Sequence, residues 1–315
     1  MIKMDSLNHT ITPDQCFLCG IPLDSKTKTK EHVFPVWLME DLGLRRQEIT
    51  LLNGTQIYYE NLVIPCCVDC NTGPLSRMES LVSIAFRAGT NSVRSLDPEI
   101  LFLWLAKFYF GLVVREMTLV HDRRSDSVEY IVTPEFIQQF SIHQLLLTRL
   151  NGKVDWDTFP ASIFIFDCID EANNKLNFNY FDSPYQPFVS VRIGTTYVAA
   201  FLQDFGAVRE LGVESWDLLK RAARYELNVA QTIELDCFFM GILSSHRVAK
   251  MIIHRNEEQS IVVVLPRSGL SGRPPFNEWI SEDECFDLMQ NMFWIRLQMT
   301  LERPNVGMPT FFPPD

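Results

Sequence analysis

The chain has 315 residues, enough for one large domain or two ordinary ones, so a substantial hydrophobic core is expected. Hydrophobic residues make up 47% of the chain and charged residues 21%, proportions that exclude a disordered or collagen-like protein. The formal net charge of −11 argues against broad contact with nucleic acid, because an acidic surface repels phosphate groups.

The N-terminal residues contain no apolar segment of the length that a signal peptide needs. The most apolar stretch, residues 100–114, carries Lys107 and is shorter than the roughly 20 apolar residues that span a bilayer. We therefore expect a cytoplasmic protein that does not enter a membrane. Because thiols stay reduced in that compartment, the 8 cysteines indicate metal ligands before disulfides.

Five of the cysteines lie in the first 70 residues, and four of them form two C-x-x-C pairs: Cys16, Cys19, Cys67 and Cys70. Four thiolates are what a tetrahedral structural zinc site requires. The 47 residues between the pairs exceed the spacing of a simple zinc ribbon, which indicates an inserted functional element. Cys66 leaves the ligand choice open, and Cys67 is preferred because both pairs then match. Isolated cysteines are expected in the core: Cys168, Cys237 and Cys285.

The segment between the pairs contains a second ordered pattern. Glu31-His32 is followed three places later by Pro35, Asn61 precedes the second pair, and Asn71 follows it directly. With the two cysteine pairs, this order resembles the HNH endonucleases of the ββα-metal type that carry a structural zinc. The resemblance covers about residues 16–80, a fifth of the chain.

The resemblance implies a role for each matching residue. His32 corresponds to the general base that deprotonates water, and Asn61 to the central asparagine that orients the histidine. Glu31 and Asn71 correspond to the ligands of a catalytic divalent ion, Mg²⁺ or Mn²⁺, separate from the structural Zn²⁺. Their oxygen atoms suit such a hard cation. The substrate implied is DNA.

Three positions depart from the commonest form of the pattern. Glu31 stands where aspartate is frequent, Asn71 where histidine is frequent, and no basic residue follows in Thr72–Leu75. Phosphate contacts must then come from other residues, for which Lys28, Lys30 and Arg77 are candidates.

Turn-forming residues are frequent up to about residue 90, and longer apolar runs follow. This predicts an α+β protein: a small zinc-stabilised HNH module at 1–90, then a larger mixed α/β domain at 91–315. Asp97 and Pro98 predict the start of a helix that continues to about 120. The other predicted helices are 134–150, 213–228, 242–252 and 281–301. The predicted strands are 162–166, 176–180, 187–193, 196–202 and 261–265.

The acidity is unevenly distributed. Residues 1–95 hold 9 basic and 10 acidic side chains, so that the remaining residues carry a net charge of −10. The candidate nuclease is thus nearly neutral, with an alternation of Lys26, Lys28 and Lys30 that is as consistent with a solvated strand as with phosphate contacts.

The leading hypothesis is a metal-dependent DNA endonuclease. Proteins with this resemblance often act as effectors of bacterial anti-phage defence, which implies that 91–315 binds a partner such as an ATPase or a sensor. The alternative is a non-catalytic zinc module that binds nucleic acid or a protein. A third possibility, an independent C-terminal enzyme, lacks a supporting nucleophile elbow, P-loop or dinucleotide motif.

Overall fold

The computed structural model describes residues 12, 14–117, 119–120, 130, 141–183, 187–212, 217–245, 251–255 and 260–264. The fold is mixed α+β with several small sheets, as expected. The chain divides into two compact units. Unit 1 comprises Met1–Arg87, Leu96–Asp157 and Ile253–Val263, and unit 2 comprises Ala88–Ser95, Thr158–Ile252 and Val264–Asp315.

Unit 1 contains two antiparallel strand pairs and a helical segment. The first pair joins β1 (Lys28–His32) to β4 (Val63–Cys67), and the second joins β2 (Glu48–Thr50) to β3 (Gln56–Tyr58). The helices between and after them are α1 (Val36–Asp41), a 3₁₀ turn (Tyr59–Asn61), α2 (Val68–Cys70), a π-helical turn (Asn71–Leu75) and α3 (Ser76–Ala88). The β1–β4 pair accommodates Pro65 because this residue faces the open edge of β4: its carbonyl accepts a hydrogen bond of 3.0 Å from the Phe17 N–H, so no bond to β1 needs a proline N–H.

Unit 1 also contains a long apolar helix, α5 (Pro98–Glu116). It begins as predicted, because the Asp97 side chain accepts a hydrogen bond of 2.9 Å from the Glu99 N–H and Pro98 fills the first helical position. The helix ends at Glu116, before the predicted residue 120. The unit is completed by α6 (Ser141–Leu147), a 3₁₀ turn (Thr148–Asn151) and a sheet of order β10–β11–β5: Met251–Arg255, Ser260–Val264 and Val154–Trp156.

The contacts of α5 place it with the cysteine-rich segment, although the sequence places the domain boundary at residue 90. The ring of Phe108 lies 5.0 Å from that of Phe34, and Trp104 stacks on Trp37 at 6.3 Å. The small module therefore obtains its hydrophobic core from a helix that composition alone assigns to the following domain.

Unit 2 is built on a four-stranded antiparallel sheet of order β6–β9–β8–β7. Its strands confirm the sequence predictions closely: Ser162–Asp167, Thr196–Phe201, Phe188–Ile193 and Phe178–Ser183. The helices of this unit are α4 (Thr90–Arg94), α7 (Ala207–Gly212), α8 (Asp217–Ala222) and α9 (Val229–Ser245), and a 3₁₀ turn covers Asn174–Asn177. Asp236 on α9 accepts a hydrogen bond of 2.6 Å from the Tyr197 hydroxyl on β9, which ties the helix to the sheet.

The helix predicted at 242–252 has the wrong end. Residues 242–245 are the end of α9, residues 246–250 lie outside the described residues, and β10 begins at Met251. Both α9 and β10 are apolar, so periodicity over this stretch does not mark the change from helix to strand. The prediction at 281–301 lies outside the described residues, as do Cys285 and residues 131–140 at the start of the helix predicted at 134–150.

We predict that the contact between α5 and β4 tolerates no added side chain. A Cβ at Gly111 would lie 3.2 Å from Val33 and 3.3 Å from Ile64, so Gly111→Leu should lower the free energy of unfolding by about 1–3 kcal/mol through overpacking. Urea denaturation measures the change. Val113→Leu, a half-buried position on the same helix, is the control, and equal stability of both variants would contradict the described packing.

Candidate metal centre and cleft

The four cysteines of the two C-x-x-C pairs meet at one point. The sulfur atoms of Cys16, Cys19, Cys67 and Cys70 all lie within 4.8 Å of one another. A tetrahedral zinc site with Zn–S bonds of about 2.3 Å requires sulfurs about 3.8 Å apart. The Cys19 and Cys67 sulfurs are separated by 3.9 Å, so the cluster has the donors and spacing for one zinc ion.

Local structure holds the sulfurs in place. Gly20 has φ of 72°, and its N–H donates to the Cys16 carbonyl at 2.8 Å, which closes the first knuckle. In the second knuckle, the Cys70 N–H donates to the Cys67 sulfur at 3.4 Å. Hydrogen bonds among the thiols lower the pKa of Cys16 and raise the pKa of Cys19, Cys66 and Cys70, because one thiolate accepts from its neighbours.

The structure also separates Cys66 from the four-cysteine set. Its sulfur lies 3.9 Å from that of Cys16, but it does not belong to the group in which every sulfur is near every other. The preference for Cys67 over Cys66 therefore agrees with the geometry. Cys168 and Cys237 are buried in unit 2, as expected.

The second knuckle determines where Asn71 lies. The chain continues helically from Cys70 into the π-helical turn, and the Asn71 amide nitrogen donates to the Thr29 hydroxyl at 3.0 Å and the Lys30 carbonyl at 3.3 Å. Since a carbonyl only accepts, the amide nitrogen must face β1, and neither bond uses the amide oxygen. Asn71 is thus attached to the strand that carries Glu31 and His32.

Glu31, His32 and Asn71 line one cleft of about 490 Å³, although Asn71 is some 40 positions away in the sequence. The remaining lining residues come from β1, the start of α1 and the helical segment after the second knuckle: Lys30, Pro35, Val36, Trp37, Thr72, Ser76, Glu79, Ser80 and Ser83. The cleft therefore brings together three of the four residues that the family resemblance assigns to the chemistry.

His32 is half-buried at the end of β1. Burial, followed by the positive charges of Lys107 and Arg45, lowers the pKa of His32, while the negative charge of Glu79 and a hydrogen bond to the Glu60 carbonyl act in the opposite direction. The imidazole is therefore neutral at pH 7. Its bond to Glu60 occupies one ring nitrogen, which leaves the other able to accept a proton.

Asn61 lies outside the cleft lining. It is exposed at the end of the 3₁₀ turn Tyr59–Asn61, and the group that contacts His32 is the backbone carbonyl of the preceding residue, Glu60. The orienting role that the resemblance implies for the Asn61 side chain stays a prediction, and the described contact of the imidazole is with a neighbouring main-chain atom.

Glu31 is buried and forms an ion pair with Lys107 of α5, which also contacts Glu79 of α3. Burial raises the pKa of Glu31 despite the opposing charge of Lys107. Burial lowers the pKa of Lys107, but the charges of Glu79 and Glu31 outweigh it and the pKa is raised overall, so the ammonium remains charged. One cation therefore connects two carboxylates beside the cleft.

Lys107 and Glu79 are the residues that sequence reasoning missed. The available signal was the charge itself: a lysine inside an apolar helix is rarely buried without an acidic partner. The sequence could not identify that partner, because Glu31 and Glu79 lie 76 and 28 positions away from Lys107.

Comparison of the chain with protein-family models, curated proteins and solved structures finds no match. Among the residues that the structure describes, no helix combines the length and the apolar character needed to cross a bilayer.

We predict about one tightly bound zinc per chain, measured by elemental analysis of the purified protein. Cys19→Ser and Cys70→Ser should each lose the zinc and lower the melting temperature, because the ion connects segments far apart in sequence. Cys66→Ser is the matched control and should keep its zinc. If Cys66→Ser loses its zinc while Cys19→Ser or Cys70→Ser keeps it, Cys66 is a ligand and the set of four proposed above is wrong.

Proposed function

We propose that this protein is a metal-dependent endonuclease that hydrolyses phosphodiester bonds in DNA through the cleft of unit 1. The observation that supports this most directly is the convergence of a half-buried histidine with carboxylate and amide oxygens in one cleft, beside a four-cysteine cluster. The antiparallel β1–β4 pair followed by α3 is compatible with the ββα arrangement that the resemblance implies.

In this proposal His32 is the general base. A half-buried, neutral imidazole accepts a proton from water at neutral pH, and a base of this kind contributes about 10²–10⁴-fold to the rate. The bond to the Glu60 carbonyl restrains the ring, and the other ring nitrogen would accept the proton.

The oxygen atoms beside His32 suit a hard divalent ion. Glu31 and Asn71 would hold Mg²⁺ or Mn²⁺, and each retains an oxygen that the contacts described above do not use. When bound, such an ion neutralises charge on the phosphate and on the leaving oxygen. Glu31 and His32 are consecutive on β1, so their side chains leave opposite faces of the strand, and both nevertheless line the cleft.

We propose that DNA binds along the exposed face of β1. Alternate residues of a strand share a face, so Lys28 and Lys30 lie on the same face as His32, and both lysines are exposed. Lys30 also lines the cleft. A row of two ammonium groups leading to the base suits a phosphate backbone.

The second candidate function is a non-catalytic zinc module that binds nucleic acid or a protein. The observation that favours it is the ion pair between Glu31 and Lys107, since a carboxylate already neutralised by an ammonium has less charge to offer a metal. The two candidates differ in their response to loss of His32, which the second one tolerates.

We further propose, from the resemblance alone, that the nuclease serves as an effector in anti-phage defence and works with a partner protein such as an ATPase or a sensor. The acidic remainder of the chain, with its net charge of −10 beyond residue 95, is a poor binder of phosphate and is the proposed partner-binding part.

We predict that His32→Ala abolishes cleavage of plasmid DNA in the presence of Mg²⁺ or Mn²⁺, while the fold is retained because the side chain is only half-buried. His254→Ala, which removes a half-buried histidine of β10, is the matched control and should cut normally. Equal cleavage by wild type and His32→Ala would contradict the nuclease proposal.

We also predict that Lys28→Ala and Lys30→Ala each reduce the salt dependence of DNA binding. Loss of one phosphate contact should lower the slope of log K against log salt by about 0.9. Lys153→Ala, also in unit 1 but remote in sequence from β1, provides the comparison. If Lys28→Ala and Lys30→Ala both leave the salt slope of DNA binding unchanged, DNA does not bind along β1.

A further inference from the structure

Lys107 is the most unusual buried group of unit 1. Its side chain has no exposed surface, and its neighbours along α5 are the apolar residues Ala106 and Phe108. Removing an ammonium from water is costly unless the charge is paired inside the protein. The pairing comes from two other elements, Glu31 of β1 and Glu79 of α3.

The three charged groups are arranged from the interior towards the cleft. Lys107 is fully buried, the Glu31 side chain is 9% exposed and the Glu79 side chain is 21% exposed. Both carboxylates line the cleft, and Lys107 does not. The ammonium therefore contacts the carboxylates from the protein interior, and Glu31 and Glu79 also hydrogen bond to each other.

The cluster is also unbalanced in charge. Fully ionised, two carboxylates and one ammonium carry a net charge of −1. Because two carboxylates only accept, the hydrogen bond between the Glu31 and Glu79 side chains requires one shared proton between them. Glu79 stands eight residues after Asn71 in the same helical segment, so the two face the cleft about two turns apart. A cation bound on the cleft side would take the place of that shared proton.

We propose that Lys107 is a positioning residue that holds Glu31 and Glu79 together as one anionic pair, so that Glu79 joins Glu31 and Asn71 as an oxygen donor to the divalent ion. The inference rests on the proposed function for the location of the ion, and it adds a ligand and a supporting residue that the HNH resemblance does not supply. The ammonium and the divalent ion neutralise the same pair from opposite sides.

This arrangement has two measurable consequences. Glu79→Gln removes one negative charge from the donor set and should weaken Mn²⁺ binding by about tenfold or more. Lys107→Met leaves two buried carboxylates without their fixed counter-ion, so it should lower the melting temperature by about 5 °C or more. Added Mn²⁺ should then raise the melting temperature of Lys107→Met more than that of wild type, because the ion becomes the only counter-charge.

The experiment uses the full chain carrying His32→Ala, with electron paramagnetic resonance to measure free Mn²⁺ and thermal denaturation to measure stability. Matched controls come from a second cation between two carboxylates in unit 1, where Arg149 contacts Glu99 and Asp155. Glu99→Gln should leave Mn²⁺ binding unchanged, and Arg149→Met should lower stability without gaining any response to Mn²⁺.

The inference is overturned if Glu79→Gln binds Mn²⁺ as tightly as its parent, or if folded Lys107→Met responds to Mn²⁺ no more than its parent. Glu79 is partly exposed, so its variant keeps the first test available even if Lys107→Met does not fold. These outcomes are separate from the nuclease proposal, which depends on whether restoring His32 restores cleavage. A protein that binds Mn²⁺ as described but never cuts DNA would retain the inference and lose the nuclease.

Discussion

The convergence of four cysteine sulfurs is the constraint on which the rest of unit 1 depends. The two knuckles are separated by the whole inserted segment. Bringing them together fixes the end of β4 and the start of the following helix relative to the first knuckle. A short sheet of two strands is marginal without such support. A metal ion bound by all four sulfurs would supply that support and would reduce the entropy of the long loop between them.

Once the second knuckle is fixed, the cleft follows from it. Asn71 comes directly after Cys70, and its side chain binds back to β1 at Thr29 and Lys30. The two residues that continue β1 are Glu31 and His32, so one short set of hydrogen bonds brings the cleft residues together. The four-cysteine cluster and the cleft thus share no residues. The helical turn that begins at Asn71 connects them.

The sequence predicts those features that depend on residues close together in the chain. The cysteine spacing anticipates the cluster, and strand-like apolar runs anticipate all four strands of the unit 2 sheet. The role of α5 was not predictable in the same way. Its apolar composition indicates burial but not the partner, and the partner turns out to be the cysteine-rich module, through Phe34 and Trp37. Long-range packing decides which elements form one unit, and the periodicity of apolar residues along the sequence does not predict that packing.

The same limit applies to the site. Motif order identifies Glu31 and His32, but it does not show that a lysine from α5 reaches Glu31, nor that Glu60 rather than Asn61 contacts the imidazole. The net charge of −11 is equally uninformative on its own, because the charges that matter are a few groups at one cleft. On the cleft floor, the fixed charge of Lys107 decides how much negative charge remains for a cation. The same residue therefore bears on both candidate functions: a fully neutralised Glu31 would leave a binding module, whereas the excess carboxylate of Glu79 leaves a charge that a divalent ion can share.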